Sequence, residues 1–515
     1  MTFKMKRVAL AAASISALAL SSSVMAKDFG DEMIIVHPFQ WPYKLIAEEC
    51  EKNWGPAGMD GVQISQPAKH IGRSDVWWAV YQPLKWNDHN TMTGSAQELK
   101  DMIQRCDKVG VKIFADAVFN QRGDESLNDG DYHNNGCTIS NYGDANHVRT
   151  CALSGMRDVA TDNPSTQDKI VDLYLKPLVD MGVYGFRIDA AKHMGYTDLA
   201  SIANKLKSKV GKTVPMYYEV IGSQGEAADI QPDKYQNNPG NVVTDFTYVW
   251  KIADAYHWKK DYKLALEITS GDGLSSETSQ VFVNNHDDEW GRCSAGTCSM
   301  PTQDYPNYHL AQSWMIVWPH GKVRQVYSGY RFDVHDPNSG NPKRISDYTH
   351  DVGGPLGDGL CQGGWKCQHR VPWVLNATRF ARATRGTAVS TKGFDNGILW
   401  FNRGSKGFYA QNTSDSPVTK EFSVSMPDGT YCDILGQEDP CGGAQITVSG
   451  GKAKFTIKGK AAAAICIGEY CGKQVDPCEL DSTSAQCLCK DDSDKNTCNA
   501  YCETTGKNTS ACICK

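Results

Sequence analysis

Three segments share one pattern, an apolar run that ends on or near a carboxylate: Gly185-Phe186-Arg187-Ile188-Asp189, Tyr217-Tyr218-Glu219-Val220 and Phe282-Val283-Asn284-Asn285-His286-Asp287. An acid picked blindly from the 59 in the chain is usually a solvated surface charge. Three at the ends of apolar strands are different, because a buried carboxylate is costly unless it is paired or has a task. Arg187 stands two residues before Asp189, so on a strand both side chains share a face. An adjacent guanidinium favours the ionised acid. One ionised and one protonated carboxyl group together suit hydrolysis of a glycosidic bond. The protonated group donates to the leaving oxygen, and the ionised one attacks the anomeric carbon. Enzymes that retain configuration hold the two about 5–5.5 Å apart. The acid needs its pKa raised by burial or by nearby negative charge.

A scaffold must bring these distant segments together. Strand-like runs occur at Ile34–Phe39, Gly61–Ser65, Val111–Phe119, Tyr184–Ile188, Met216–Val220, Val242–Phe246, Val281–Asn284 and Val323–Tyr327. Helical patterns lie between them. Leu99, Met102, Ile103 and Cys106, for example, repeat at the spacing of a crossover helix. Eight such strands predict an α/β fold, a closed parallel (β/α)₈ barrel of the TIM type. In that fold functional groups come from the C-terminal ends of the strands. The Gly-, Asn- and Asp-rich connection after the third strand is long and reads as an inserted subdomain, 121–158. After about Thr387 short strands with Gly, Asn and Asp turns predict a separate antiparallel β-sandwich. The expected organisation is a leader at 1–26, a barrel domain at 27–387, an all-β domain at 388–470 and a cysteine-rich tail at 471–515.

The leader reading rests on Lys4, Lys6 and Arg7 before an apolar run, followed by Ser23-Val24-Met25-Ala26 as a small-residue cleavage site. It implies a secreted, extracellular protein. No other stretch is long and apolar enough to span a membrane. A net charge of −6 argues against a nucleic-acid partner. Nineteen cysteines fit an oxidising compartment. Cys137/Cys151, Cys293/Cys298, Cys361/Cys367, Cys432/Cys441 and Cys466/Cys471 read as local disulfides, and Cys50 can pair with Cys106 at longer range. An odd total leaves at least one cysteine without an internal partner. The tail repeats Cys478…Cys487-Leu-Cys489 as Cys502…Cys512-Ile-Cys514, a small module in need of staples.

Taken in order, Asp116-Ala117-Val118-Phe119-Asn120, Gly185 to Met194, Glu219-Val220-Ile221 and Phe282 to Asp287 resemble the conserved regions of the α-amylase family, glycoside hydrolase family 13. The resemblance runs from about Ile34 to Ile467 and is strongest to the animal-type, chloride-dependent branch. It implies endo-hydrolysis of α-1,4-glucosidic bonds in starch, glycogen and maltooligosaccharides by a monomer, with retention. Asp189 would be the nucleophile, Glu219 the acid/base and Asp287 the transition-state stabiliser. Trp77, Trp78, Tyr81, Gln82, Gln121, Arg187, Lys192 and His286 would contact substrate, the aromatic rings by stacking on apolar sugar faces. The resemblance also implies Ca²⁺ on the side chains of Asn120 and Asp158 and the carbonyls of Arg149 and His193. It implies Cl⁻ on Arg187, Asn285 and Arg331.

The pattern departs in places. Gln121 stands where the family normally has a histidine that binds the sugar at the cleavage point. Asn284 and Asp288 stand where Asp and Asn are common. A cysteine-flanked loop, 292–298, replaces a Gly-rich one. Two other classes fit parts of the pattern: a transglycosylase or oligosaccharide-specific glucosidase on the same scaffold, and a carbohydrate-binding protein without activity. Retention of all three acids argues against the second.

Overall fold

The computed structural model describes residues 32–72, 77–236, 242–268, 273–288, 299–301, 304–329, 335–336, 341–342, 367–435 and 444–471. The leader, the loop 292–298, Arg331 and the tail after Cys471 lie outside the described residues.

Eight parallel strands close into a barrel. They are β1 (Met33–Pro38), β2 (Gly61–Ile64), β3 (Lys112–Ala117), β4 (Gly185–Ile188), β5 (Met216–Tyr218), β6 (Val242–Thr244), β7 (Ser279–Phe282) and β8 (Val323–Ser328). Each pairs with its sequence neighbours, and β8 returns to β1 over six residues, from Met33↔Val323 to Pro38↔Ser328. Nearly every strand residue is buried. Barrel strands are covered by side chains inside and by helices outside, so they read as continuous apolar runs instead of alternating ones. All eight expected runs are strands.

Local signals place the intervening helices. The first crossover helix, α1 (Ala96–Lys108), begins at a capping box in which Ser95 and Glu98 satisfy each other's backbone N–H groups. It buries Leu99, Met102, Ile103 and Cys106. Cys106 is bonded to Cys50, fixing α1 to the helical segment after β1. At the start of β4, Gly185 is required by close packing: a Cβ there would lie 2.5 Å from the Pro215 carbonyl and 2.6 Å from the Phe114 ring.

The long connection after β3 folds back on itself. Two-residue strands pair Tyr132 with Val159 and His133 with Asp158. A short helix, α2 (Ala145–Thr150), is capped by Asp144, and Cys137–Cys151 closes the segment.

After the barrel come two four-stranded antiparallel sheets. One orders β9 (Val389–Asp395), β10 (Ile398–Arg403), β11 (Gly407–Asn412) and β16 (Ala461–Cys466). The other contains β12 (Val418–Ser423), β13 (Gly429–Cys432), β14 (Gln445–Ser449) and β15 (Lys452–Ile457). Ile398, Phe408, Phe422, Phe455 and Ile465 form the core between them. In β14 and β15 burial alternates residue by residue, as a sheet with one wet face demands. In the sequence, the runs Gly397–Phe401, Gly407–Gln411, Lys420–Ser425, Gln445–Val448 and Lys452–Ile457 mark five of these eight strands, and β9, β13 and β16 are missed. The last contains four consecutive alanines, a helix-favouring composition. Its pairing with β11 along all six residues overrides that preference. Cys466–Cys471 follows directly. Cys367 and Cys432 are also disulfide-bonded.

Candidate active site

The three acids converge where β4, β5 and β7 end. Arg187, the third residue of β4, lies between the carboxylates and is buried. Its Nη1 donates to Asp189 Oδ1 (2.7 Å) and to both oxygens of Asp116 (2.7 and 3.0 Å), and its Nη2 donates to Glu219 Oε1. Asp189 and Glu219 therefore hang from one guanidinium. The chain turns sharply after Asp189. Ala190 adopts a left-handed conformation (φ 49°, ψ 35°), which disfavours a side chain, and its N–H donates to Glu219 Oε2 at 3.0 Å. The turn thus carries Asp189 and also orients Glu219 after the next strand.

A wall of rings flanks the carboxylates. Tyr81 donates to Asp116 Oδ2 (3.0 Å) and meets His286 Nε2 at 2.7 Å. Its ring stacks on His286 with centroids 5.2 Å apart, and His286 stacks on Phe39 at 4.6 Å. Trp77 stands edge-on to His286 at 5.8 Å. Trp78 and Gln82 share the same turn, half-buried, and Arg122 donates to Gln82 Oε1 at 3.1 Å. Asp287 follows His286, with one carboxyl oxygen 3.5 Å from His286 Nε2. Its loop is held by Asn285 Oδ1, which accepts from the N–H groups of Asp287 and Asp288. Asn284 anchors the strand end to Met300 and Ser299.

Charge in this site is unbalanced. Asp116, Asp189 and Glu219 all contact one cation, and Asp287 lies close enough to feel it. Burial, reinforced by the charges of Glu219 and Asp116, pushes Asp189 up to about 7 even though Arg187 pulls it down. Arg187 favours the ionised form, but it offsets the burial of Asp189 only in part. The concave site desolvates Asp287 even though its side chain keeps 40% exposure to the cleft, and this, with the charge of Glu219, raises its pKa. Burial and Arg187 hold His286 neutral.

Lys192 is buried and gripped by both oxygens of Glu226 at 2.8 Å, with Tyr142 of the inserted segment 5.2 Å below its ammonium group. Gln121 reaches Asp189 Oδ2 at 3.1 Å. Arg331 lies outside the described residues.

A second cluster lies where the inserted segment meets the barrel. Among the described residues, both amide atoms of buried Asn120 and Oδ1 of buried Asp158 have no hydrogen-bond partner. Asp158 Oδ2 takes a bond from His133 (2.7 Å), yet burial still raises Asp158 to about 6. Arg149 sits in the last turn of α2, where carbonyls lack helical donors. The Tyr235 hydroxyl donates to the carbonyls of Lys192 and Met194, fixing the backbone on either side of His193. Orphaned hard oxygens and an uncompensated buried carboxylate form a donor set that suits a cation such as calcium. Cys137, His147 and Cys151 also converge, but their sulfurs are joined as a disulfide.

Sequence reasoning misses Phe39, Asp116, Tyr142 and Glu226 as parts of the site. Asp116 interrupts the apolar run Val111–Phe119 near the end of β3, and that signal was available. Tyr142 and Glu226 come from irregular loops, where no periodicity marks them.

The profile described as "Alpha amylase, C-terminal all-beta domain" matches residues 389–468. An α-amylase of Aeromonas hydrophila is 38% identical over 445 residues, covering 82% of this chain and 93% of its own. The pancreatic α-amylase of Rattus norvegicus is 32% identical, covering 83% and 92%. Among solved structures, α-amylase I of Eisenia fetida superposes with a TM-score of 0.72 at 27% identity, covering 85% of this chain and 97% of its own. A mutant of that enzyme, described as a complex with maltohexaose, gives 0.73. With its barrel, its trailing β domain and this degree of identity over most of its length, the chain belongs to the α-amylase family, glycoside hydrolase family 13, in its animal-type branch, and is a glycoside hydrolase.

Proposed function

We propose that the chain cuts internal α-1,4-glucosidic bonds of starch, glycogen and maltooligosaccharides with retention of configuration. The observation that carries this reading is the sharing of Arg187 by Asp189 and Glu219. Two carboxyl groups close enough to hold one guanidinium fit the short separation, about 5–5.5 Å, of retaining enzymes. Asp189 attacks the anomeric carbon in its ionised form. Glu219 protonates the leaving oxygen, then takes a proton from the water that resolves the glycosyl-enzyme. Asp287 and His286 hold sugar hydroxyls beside the reacting carbon, and the ring wall of Tyr81 and Trp77 offers flat apolar surface to sugar C–H faces. Lys192 and Trp78 extend the contact to neighbouring units.

Calcium on Asn120, Asp158 and the carbonyls of Arg149 and His193 would tie the inserted segment to the barrel, a structural task. The orphaned oxygens of Asn120 and Asp158 support it. Chloride on Arg187, Asn285 and Arg331 would offset buried positive charge. Asn285 fits in part, because its Oδ1 serves the loop N–H groups and its NH₂ end remains for an anion. Export is supported by the disulfides Cys50–Cys106, Cys137–Cys151 and Cys466–Cys471.

The test is a maltoheptaose blocked at its non-reducing end, followed by NMR. Internal cleavage that first yields α-anomers supports the reading. Release of single glucose units, β-anomers or transfer products alone would replace it with one of the rival activities. Indifference to added chloride after exhaustive dialysis would remove the anion site.

A further inference from the structure

The loop after Glu219 is pinned at three points. Glu226 Oε2, which grips Lys192, also accepts the N–H of Ser223 at 3.1 Å. Gln231 Nε2 donates to the Ser223 carbonyl at 3.0 Å, and the N–H of Ala227 donates to the Tyr142 carbonyl at 2.9 Å. Against this loop lies a cavity of about 490 Å³, in the size range of small-ligand sites. One wall carries Ser223, Gln224 and Asp233. The other is the helix after β6, α3 (Phe246–Ala253), with Phe246, Thr247 and Trp250. Gln224, Asp233 and Thr247 are exposed, and the Gln224 amide and Thr247 hydroxyl have no partner among the described residues. Trp250 is half-buried, its ring 6.3 Å from that of Phe246. Its indole N–H is neither sealed from solvent nor bonded to a described residue. No lysine, arginine or histidine lines the cavity among the described residues, so it does not suit an anion. A flat ring beside an amide, a hydroxyl and one carboxylate suits a sugar, whose C–H face takes the ring and whose hydroxyls take the polar groups.

We propose that this cavity is a second glucan-binding site, which takes the α-1,4-glucan beyond the units held at Lys192 and stacks one glucose ring on Trp250. This rests on the glucan-cleaving function proposed above and deepens it. Glu219 protonates the leaving oxygen, so the loop that follows it borders the leaving half of the substrate. That half runs over Lys192, and the Ser223–Glu226–Lys192 contacts make the cavity wall and the cleft parts of one pinned loop. Between Glu219 and the wall stands Ile221, one of two large apolar side chains that are exposed among the described residues. A long chain leaving the acid therefore meets apolar surface first and the Trp250 cavity next. A short substrate ends before it.

Chain length separates this site from the catalytic cleft. The probes are a chromogenic maltotrioside, whose leaving group is the dye, and soluble amylose. Trp250→Ala should leave both kcat and KM on the trioside unchanged. On amylose it should raise KM about 5–20-fold with kcat unchanged, the mark of binding lost equally from ground and transition states. Gln224→Ala, a change at an exposed side chain that leaves the packing of α3 alone, should raise KM on amylose about 2–3-fold. Thermal unfolding, with calcium present, confirms that folded protein is compared. A direct reading comes from electrophoresis through a gel containing soluble starch. The Glu219→Gln protein should be retarded, and adding Trp250→Ala should weaken the retardation. Equal effects of Trp250→Ala on trioside and amylose, or an unchanged KM on amylose in both variants, would overturn the proposal. So would retardation that Trp250→Ala leaves intact. A native chain that cleaves neither substrate, yet is retarded in starch through Trp250, would sink the hydrolase reading and keep the glucan site.

Discussion

Two buried arginines divide the molecule. Arg187 lies at the C-terminal ends of the barrel strands and donates to three carboxylates. Arg403 lies at the joint between barrel and β domain and donates to the carbonyls of Val317 (2.8 Å), Thr384 (3.0 Å) and Thr387 (2.7 Å). Burial pushes Arg403 down to about 9, whereas the surrounding acids hold Arg187 well above the usual guanidinium range against the same burial. Two asparagines repeat the contrast. Asn412 in β11 has its amide nitrogen bonded to Ser416, Ile457 and Lys458 carbonyls and its Oδ1 bonded to Ser414. Asn120 finds no partner for either amide atom among the described residues. A buried polar group does not by itself mark function. What marks the barrel end is surplus negative charge, with four carboxylates gathered around one buried guanidinium.

That contrast orders the expected effects. Asp189→Asn or Glu219→Gln should lower kcat on maltoheptaose by about 10⁴-fold. Arg403→Met should leave it unchanged, as steady-state assays at a temperature well below unfolding will read. A large loss of rate in the folded Arg403 variant would break the division. Chelation comes next. If Asn120 and Asp158 hold calcium, raising the ion to a thousand times its Kd should add about 4 kcal/mol to stability, seen as a rise in Tm. Asn120→Leu should erase this dependence and, in chelator, should be at least as stable as the native chain, since an unpaired amide is gone. Third, Arg403→Met should cost about 3 kcal/mol in urea unfolding, because three carbonyls at the joint lose their donors.

The smallest effect is on pH. If Asp189 is the nucleophile it must be ionised to attack, and burial pushes its carboxyl up to about 7. Below pH 7, kcat/KM should fall about tenfold per unit, an acid limb far above that of an ordinary carboxyl group. Stability runs the other way. A folded pKa raised above the unfolded value means that the native state binds the proton more tightly. The contribution of this group is full below about pH 4 and is lost as pH rises through 7. Asp189→Asn should flatten that slope, which pH-dependent unfolding would reveal.

The barrel was legible because buried parallel strands leave apolar runs that need no context. The acids Asp189, Glu219 and Asp287 were legible for the same reason, since they interrupt those runs at their ends. β16 was not, because four alanines carry no strand signal and only the partner strand decides. Phe39 reads as one more apolar residue at a strand end. Its stack on His286 exists only after β1 and β7 are brought together. Glu226 and Tyr142 depend on two loops meeting over Lys192. The hydrogen bond from Gln121 to Asp189 spans 68 residues. The sequence shows an unusual residue there, but only the fold shows which groups its amide meets.

The most direct test of the central claim is to trap the intermediate. A 5-fluoro-α-glucosyl fluoride should form a long-lived glycosyl-enzyme, and peptide mass spectrometry should find the label on Asp189. Label on Asp116, Glu219 or Asp287, or turnover of the natural substrate to β-anomers with no covalent species, would contradict the account.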